Sequence, residues 1–583
     1  MKLVKIQILC CIILSVLCRL AIASPETIAG NWHSDLQIPT GKLTLIFTIS
    51  QDADGHLSAT MESPDQAPGQ QIPISEITVD DDHLQIMVKV LGASIEADWD
   101  NEHEHWVGTF SQGMELPITI KRGLPADLPT IEGLDGSWHG VINRNGVDLR
   151  LILHISTDER GTRAKVDSPD TMNMNISVSD LTKDGDQVGY TMPVISGVFQ
   201  GTLTDPNTMT GTWTVPGQET LTITYTRSEE SSKPIERLRP QVPTEPYGYR
   251  SEDVTYENPL TDGIVLAGTL TLPEGKGPFP AAILISGSGP QDRNETVFGH
   301  QPFLVLADHL TKQGIAVLRY DDRGTHESTG DYIASNSADF ATDANAALSY
   351  LLTRSEIDHD AIGFVGHSEG GLIAPLAITD HELGANTEHP IAFLVMLAGP
   401  GTSSQQILRS QNRLIALSQG VSEEEIGKAV EFNAQIIQAS ITANSTEEAQ
   451  KSIRQLFTDE VLEEMDLSDM QAQTVMTQYS TPWMRYFLTY DPAEYLPRIG
   501  IPILALNGEL DLQVPAQENL DGLRALLADH PDATITELKG LNHMFQHAKT
   551  GALGEYNDIE ETFAPEAMTI IATWIQERFG QKE

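Results

Sequence analysis

Two periods of hydrophobic spacing divide the chain. Up to about residue 228, runs such as Leu43-Thr44-Leu45-Ile46-Phe47-Thr48-Ile49 alternate apolar with polar side chains and are separated by Asp, Gly and Asn turns. A period of two with one apolar face predicts antiparallel strands buried on one side. The pattern also repeats. Gly30-Asn31-Trp32-His33 recurs as Gly136-Ser137-Trp138-His139, Ser63-Pro64-Asp65 as Ser168-Pro169-Asp170, and Gly108-Thr109-Phe110 as Gly211-Thr212-Trp213. Each copy closes on a basic residue, Arg122 or Arg227, and the offset stays between 103 and 106 throughout. This is a duplication. It predicts two small β-barrels or curled sheets, residues 24–124 and 130–228, with the opening Trp of each as a core plug. Residues 229–250 carry Pro240, Pro243 and Pro246 and little to bury, so they predict an extended, exposed linker.

From residue 251 to 583 the period changes. Ile264–Leu272 alternates, whereas Ala281–Ser286, Ile315–Arg319, Ile362–Val365, Phe393–Leu397 and Ile503–Leu506 are short runs without polar alternation. Such strands are buried on both faces, which predicts a parallel sheet between helices and an α/β fold class. Helices are expected over 301–313, 338–354, 369–379 and 565–579. Between about 402 and 485 the strand signal vanishes, and Ile407, Leu414, Ile426, Val430 and Ile436 recur at helical spacing. That stretch reads as a helical cap inserted at one end of the sheet.

Charge narrows the choices. The 583 residues hold 36 Lys and Arg against 82 Asp and Glu, a formal net charge of -46. Affinity for nucleic acid or anionic lipid comes mainly from Lys and Arg, so neither is an expected partner. At the start, Lys2 and Lys5 precede an apolar run from Ile6 to Leu17 and then Ala21-Ile22-Ala23, the layout of a signal peptide over residues 1–23. Export to a bacterial periplasm or exterior is the expectation, with no membrane anchor after cleavage. All three cysteines (Cys10, Cys11 and Cys18) lie in that segment, so a cleaved chain has neither disulfide nor thiol nucleophile.

Candidate chemistry concentrates in the α/β half. Ile362-Gly363-Phe364-Val365-Gly366-His367-Ser368-Glu369-Gly370-Gly371 is a buried strand, a tight turn and an apolar helix. Gly-x-Ser-x-Gly at a strand-to-helix junction is a nucleophile elbow, and an activated serine needs a base oriented by an acid. The strand at 503–506 ends in Asn507-Gly508-Glu509-Leu510-Asp511, placing Asp511 just past a strand end. The strand at 534–538 leads to Gly540-Leu541-Asn542-His543, placing His543 in the next loop. Glu509 and His547 are weaker rivals for the same two roles. The oxyanion donors fall on backbone N–H groups: that of Glu369, and that of Ser288 in the loop Ser286-Gly287-Ser288-Gly289-Pro290-Gln291-Asp292-Arg293.

With these residues in place, 250–583 resembles the α/β-hydrolase superfamily, in particular bacterial carboxylesterases and serine aminopeptidase-like hydrolases. The resemblance rests on LISGSGPQDRN, LRYDDRGTHESTGD, GFVGHSEGGLIAP, NGELDLQVP and GLNHMFQHA. It implies an α/β-hydrolase sheet with a cap, and Ser368 as nucleophile, Asp511 as acid and His543 as base. Gly324-Thr325-His326-Glu327-Ser328 departs from the Gly-x-Gly-x-Ser that more often follows Asp-Asp-Arg in related proteins. The β repeats resemble modules fused to such hydrolases.

Other polar residues carry two readings each. Gln291 and Arg293 either bind a polar group of the substrate or stabilise the oxyanion loop, and Trp483 either borders the acyl pocket or packs. Asp321, Asp322 and Arg323 suit an internal charge network. His103-Glu104-His105 lacks metal-ligand spacing and suits a solvated face, so no metal is expected, and the absence of a phosphate or dinucleotide motif leaves no cofactor. The expected activity is cleavage of small-acyl carboxylic esters, with a small-molecule ester as partner. An aminopeptidase is the rival, its amine held by acids at Glu423–Glu425 or Glu447–Glu448. A glycan- or surface-binding β half with an accessory hydrolase is the rival from another class. No feature fixes an oligomeric state.

Overall fold

The computed structural model describes residues 28–580, except 229–238 and the turn positions 39–40, 53–54, 67–69, 81, 113–114, 145, 172, 196, 216–219, 387, 466 and 468. The expected signal peptide, residues 1–23, lies outside the described residues. Among those described, no helix is long and apolar enough to cross a membrane. The chain divides into two compact units, one holding the two N-terminal sheets and one the C-terminal sheet.

The duplication is visible strand by strand. Nine strands between Gly30 and Arg122 and nine between Gly136 and Ser228 form two antiparallel sheets of identical spatial order, with the first strand of each copy between its second and its last. The two edge strands are consecutive in the chain in each copy, Ile72–Pro73 with Glu76–Asp80 and Asn173–Ser177 with Ser179–Asp184, so both sheets curl back on themselves. In the first, the two residues joining these strands each extend a different ladder: Ile74 N–H donates to Ala59 O at 3.0 Å and Ser75 N–H to Met87 O at 2.8 Å.

The opening Trp of each copy is fully buried, as a core plug must be. Trp32 Nε1–H donates to Ile28 O and Trp138 Nε1–H to Leu134 O, both at 2.7 Å, which satisfies the one polar group each brings inside. The register places Trp32 opposite Arg122 and Trp138 opposite Arg227. Each arginine lays its guanidinium over the indole, 5.1 Å and 4.4 Å from the ring centre, a cation–π contact that ties the last strand to the first.

Part of the linker departs from expectation. Arg239 donates to the carbonyls of Phe298, Asn557 and Ile559, and the Gln241 amide bonds Thr562 and Phe563. Polar side chains pin this stretch to half-buried and buried main-chain groups although it has no apolar face to bury.

The C-terminal sheet has eight strands, numbered within it: β1 (Arg250–Glu257), β2 (Val265–Leu272), β3 (Phe279–Ile285), β4 (Ala316–Tyr320), β5 (Ile357–His367), β6 (Phe393–Leu397), β7 (Ile503–Gly508) and β8 (Ala533–Leu538), in the order β1-β2-β4-β3-β5-β6-β7-β8. Strands β3 to β8 run parallel, while β2 is antiparallel to β1 and to β4. Along β3, Ala281, Ile283 and Ile285 face one core while Ala282 and Leu284 face the other. Helices α1 (Pro302–Lys312), α2 (Ser337–Leu351), α3 (Gly370–Thr379), α10 (Ala516–Leu526) and α12 (Pro565–Phe579) cover the two faces. The alternation read in Ile264–Leu272 does not mark a half-exposed strand: Leu266 to Leu272 are all buried, the threonines included. Thr271 manages this by bonding the hydroxyl of Thr311 at 2.6 Å.

The insertion after β6 is helical throughout: α4 (Ser404–Ser418), α5 (Glu423–Thr442), α6 (Thr446–Arg454), α7 (Asp459–Glu464), α8 (Asp469–Ser480) and α9 (Pro482–Phe487). It has its own apolar cluster around Ile436, Ile453, Phe457 and Met476, and a cavity of about 780 Å³ lined mainly by α4, α5 and α8. Neither Ser368, Asp511 nor His543 lines that cavity.

Because Trp138 fills the second curled sheet and its N–H is already satisfied, truncation leaves a large void. Trp138→Ala is expected to lower the stability of the N-terminal unit by about 3–5 kcal/mol, read as a shifted midpoint of its near-UV transition in urea.

Candidate active site

In a parallel sheet the loops at the carboxyl ends of the strands share one edge, and the candidate residues follow β3, β5, β7 and β8. Ser368 is the turn between β5 and α3, with φ 53°. A β-carbon at Gly366 would fall 2.1 Å from Gly370 O, and one at Gly370 would fall 2.1 Å from Ile285 O. Side chains at either position would break the turn, so the glycines of the motif are steric requirements. Ser368 N–H donates to Leu397 O of β6 at 2.8 Å, anchoring the turn, and the residue itself remains partly accessible.

Asp511 and His543 meet. His543 Nδ1 lies 2.8 Å from Asp511 Oδ2, and both residues are almost fully buried. The other carboxylate oxygen of Asp511 accepts from the N–H groups of Gln513 and Val514 at 2.8 and 2.9 Å. Those bonds fix the carboxylate's direction, and the carboxylate in turn fixes Nδ1 of the imidazole as its donor. The two rivals point elsewhere. Glu509 binds Gly540 N and Lys539, and His547 is held by Glu561 and Glu566 on an exposed face.

The loop after β3 is held along its length. The N–H groups of Gly287, Gly289, Gln291 and Arg293 donate to Glu295, Tyr332, Asp322 and Asp321, at 2.8 to 2.9 Å. Among the described residues no protein acceptor meets the N–H of Ser288 or of Glu369, the two expected oxyanion donors. A β-carbon at Gly287 would lie 3.2 Å from Ser368 Cβ, so this loop runs hard against the serine.

The residues with two readings are mostly occupied. Arg293 forms a bidentate pair with Asp321 (3.0 and 2.6 Å) and also reaches Glu327, the loop-stabilising arrangement. Gln291 Nε2 donates to Ser288 O at 3.4 Å. Trp483, at the start of α9, stacks on Phe487 and donates its Nε1–H to Glu369 Oε1 at 2.8 Å, so this cap side chain reaches the residue beside the nucleophile. The expected Asp321-Asp322-Arg323 network is three separate arrangements. Arg323 pairs with Asp343, Asp321 with Arg293, and Asp322 has only neutral donors, Ser286 Oγ and Gln291 N. Burial pushes the Asp322 carboxyl well above the usual carboxylate range.

The sequence did not single out Glu295 or the partner role of His367. His367 was legible only as the variable position of the elbow, although Gly-His-Ser put an ionisable group beside the nucleophile. Glu295 and His367 are both buried, with Oε1 and Nδ1 2.8 Å apart. In the first β module, Asp100, His103 and His105 bring ligand-type atoms within 4.8 Å of one another. His103 Nδ1 at 2.8 Å from Asp100 Oδ2, and the N–H groups of Glu102 and His103 on Oδ1, account for the convergence as a half-exposed turn closed on itself.

The sheet order, the elbow and the two loops that follow β7 and β8 give residues 250–580 an α/β-hydrolase fold. Residues 262–549 match the family model of the X-Pro dipeptidyl-peptidases (S15 family). Esterase EstD of Thermotoga maritima is 24% identical over 300 residues, 52% of this chain and 61% of that protein, so the match leaves more than a third of the relative unaligned. Among solved structures, an esterase of Pyrococcus furiosus, Pf2001, covers 57% of this chain and 93% of its own at 13% identity and a TM-score of 0.35. A 2,6-dihydroxy-pseudo-oxynicotine hydrolase covers 56% and 68% at 18% identity and a TM-score of 0.32.

Glu369 generates a pH prediction. Burial raises its carboxyl to about 6 from an ordinary 4.5, with the Ser337 and Trp483 hydrogen bonds opposing. A carboxyl raised by folding contributes stability that is complete below the unfolded value and is lost as pH climbs through the folded one. Glu369→Gln keeps an acceptor for both donors and removes that charge. It is expected to stabilise the C-terminal unit by roughly 2 kcal/mol at pH 8, with the gain shrinking as pH falls to 5, as read by urea unfolding.

Proposed function

We propose that the protein is an exported serine hydrolase that cleaves carboxylic esters of small acyl groups. The observation that carries this reading is the buried Asp511–His543 pair at the carboxyl edge of the sheet that also bears Ser368 on its elbow. In the proposed reaction Ser368 Oγ attacks the ester carbonyl while His543 takes its proton, and Asp511 stabilises the imidazolium that forms. The N–H groups of Ser288 and Glu369 receive the oxyanion, which their lack of an internal acceptor permits. His543 then returns the proton to the leaving alcohol. Water activated by the same imidazole releases the acid and restores Ser368. No metal or cofactor enters these steps.

A peptide-cleaving reading is favoured by the match to the X-Pro dipeptidyl-peptidase model. It needs an acid for the substrate amine. The acids at Glu423–Glu425, Glu447 and Glu448 stand at the starts of α5 and α6. There Glu423 pairs with Arg413, Glu425 closes a capping box with Ser422, and Glu448 binds Asn444. These carboxylates serve the cap helices, which supports the ester reading. Export rests on the layout of residues 1–23.

The test is turnover of p-nitrophenyl esters from acetate to decanoate beside aminoacyl-p-nitroanilides. Ser368→Ala is expected to abolish ester turnover, and Asp511→Asn to lower kcat about 10⁴-fold by losing the tautomer it enforces. Anilide cleavage that requires a free amine would move the assignment to an aminopeptidase. Turnover that survives Ser368→Ala would sink the serine mechanism.

A further inference from the structure

Beneath the elbow lies a buried pair that the reaction as written does not use. Glu295 is 4% exposed and His367 6%. Glu295 Oε1 accepts from Gly287 N–H at 2.8 Å and from His367 Nδ1 at 2.8 Å. His367 Nε2 lies 3.0 Å from His543 O. A carbonyl only accepts, so Nε2 carries a proton; an ionised carboxylate only accepts, so Nδ1 carries one too. With Glu295 ionised, the two acceptors define His367 as an imidazolium whose ring centre is 4.9 Å from that of His543.

We propose that Glu295 and His367 are positioning residues, a charged bridge that sets the oxyanion loop and the His543 loop relative to Ser368. One carboxylate oxygen holds the residue before the Ser288 donor. The imidazolium it pairs with flanks the nucleophile in sequence and grips the backbone of the base. Burying two charges costs several kcal/mol before their attraction is counted, and an apolar pair of similar volume is commonly as stable. What an apolar pair cannot supply is three directed hydrogen bonds between three different loops.

The groups facing His367 fit this state. Burial alone pulls its pKa down, but the charge and hydrogen bond of Glu295, the carbonyl of His543 and the charge of Asp511 together leave it above the ordinary value. Phe545 fills the remaining side, with ring centres 6.2 Å apart. A histidine raised by folding contributes stability that is complete below its unfolded pKa and lost as pH rises through the folded one, so the bridge opens on the alkaline side.

The role in turnover rests on the serine-hydrolase reading; the charged state of His367 does not. Two measurements therefore separate them. In full-length protein labelled with ¹⁵N-histidine, the signal missing from His367→Gln is expected to show both ring nitrogens protonated at pH 7. In Glu295→Gln it should show a neutral ring with the proton on Nε2, because the amide removes the charge that holds the Nδ1 proton while the His543 carbonyl still accepts from Nε2. In ester turnover, Glu295→Ala should lower kcat about 100-fold, the scale of one misplaced oxyanion donor, with KM within about threefold. Glu295→Gln should regain about tenfold of that loss, since it preserves direction without charge. A neutral His367 in the wild type overturns the bridge whatever Ser368 does. A folded Glu295→Ala with wild-type kcat, or a loss confined to KM, overturns its positioning role. Turnover surviving Ser368→Ala overturns the reading of the site and with it that role, while the spectrum still reports the pair.

Discussion

Everything at the active edge depends on how the chain turns at Ser368. A residue with a side chain held at φ 53° is strained, and the strain persists only where surrounding structure over-determines it. Here the determinants are steric. Gly370 passes so close to Ile285 O that any β-carbon would overlap it, and Gly366 is pressed against the first turn of α3 in the same way. The elbow is therefore clamped between β3 and the helix it starts, and the loop leaving β3 inherits a fixed distance from the serine. That loop then has one unbound N–H in the right stretch, at Ser288, because its neighbours at 287, 289 and 291 are all taken.

Four buried acids surround this turn, and each is accommodated differently. Asp511 meets an imidazole and two backbone donors, so its charge is matched by groups that also orient it. Glu295 meets a second imidazole. Asp322 meets only hydroxyl and amide donors, and burial drives its carboxyl upward. Glu369 meets Ser337 and Trp483, again without a cation, and is pushed up to about 6. The division follows their places in the fold. The two acids paired with histidines, in the loops after β7 and β3, tie those loops to neighbouring ones, and the two without a cation brace the loop after β3 and the cap.

The sequence disclosed the local features and missed the long-range ones. Short apolar runs declared the buried strands because a parallel sheet offers no polar face, and α12 could be bounded to the residue by the Pro565 start and its periodic apolar face. Ser368, Asp511 and His543 were legible as candidates because each follows a strand end in a fixed order, and of these the structure joins Asp511 to His543. Helix α10 escaped notice, since Asn519 stands on its buried face and breaks the apolar stripe; it is buried to bind Gly401 N. Glu295 and His367 escaped for another reason. Their meaning lies in a contact across 72 residues, and a lone Glu in a polar loop carries no local sign of burial. Arg293 shows the converse, a residue attractive in sequence whose charge is already committed to Asp321.

The N-terminal half supplies its own comparison, because two copies of one pattern can be set against one structure. What both copies retain is what closure demands. Gly30 and Gly136 take φ 129° and 127° immediately ahead of the strand that carries the core tryptophan, a conformation that disfavours any side chain. Gly108 and Gly211 face the backbone of the adjacent strand, where a β-carbon would fall 1.9 Å from Glu96 O or 2.3 Å from Gln200 O. Trp32 with Arg122 and Trp138 with Arg227 join first strand to last. The filling differs: the first copy packs Trp32, Trp99 and Trp106 edge to face, while the second joins Tyr190 to Tyr225 hydroxyl to hydroxyl at 2.7 Å beside Phe199. A core tolerates such exchange when volume is kept. Backbone approach and the strand-closing cation over its tryptophan do not, which is why those positions, and not the other interior aromatics, made the duplication readable.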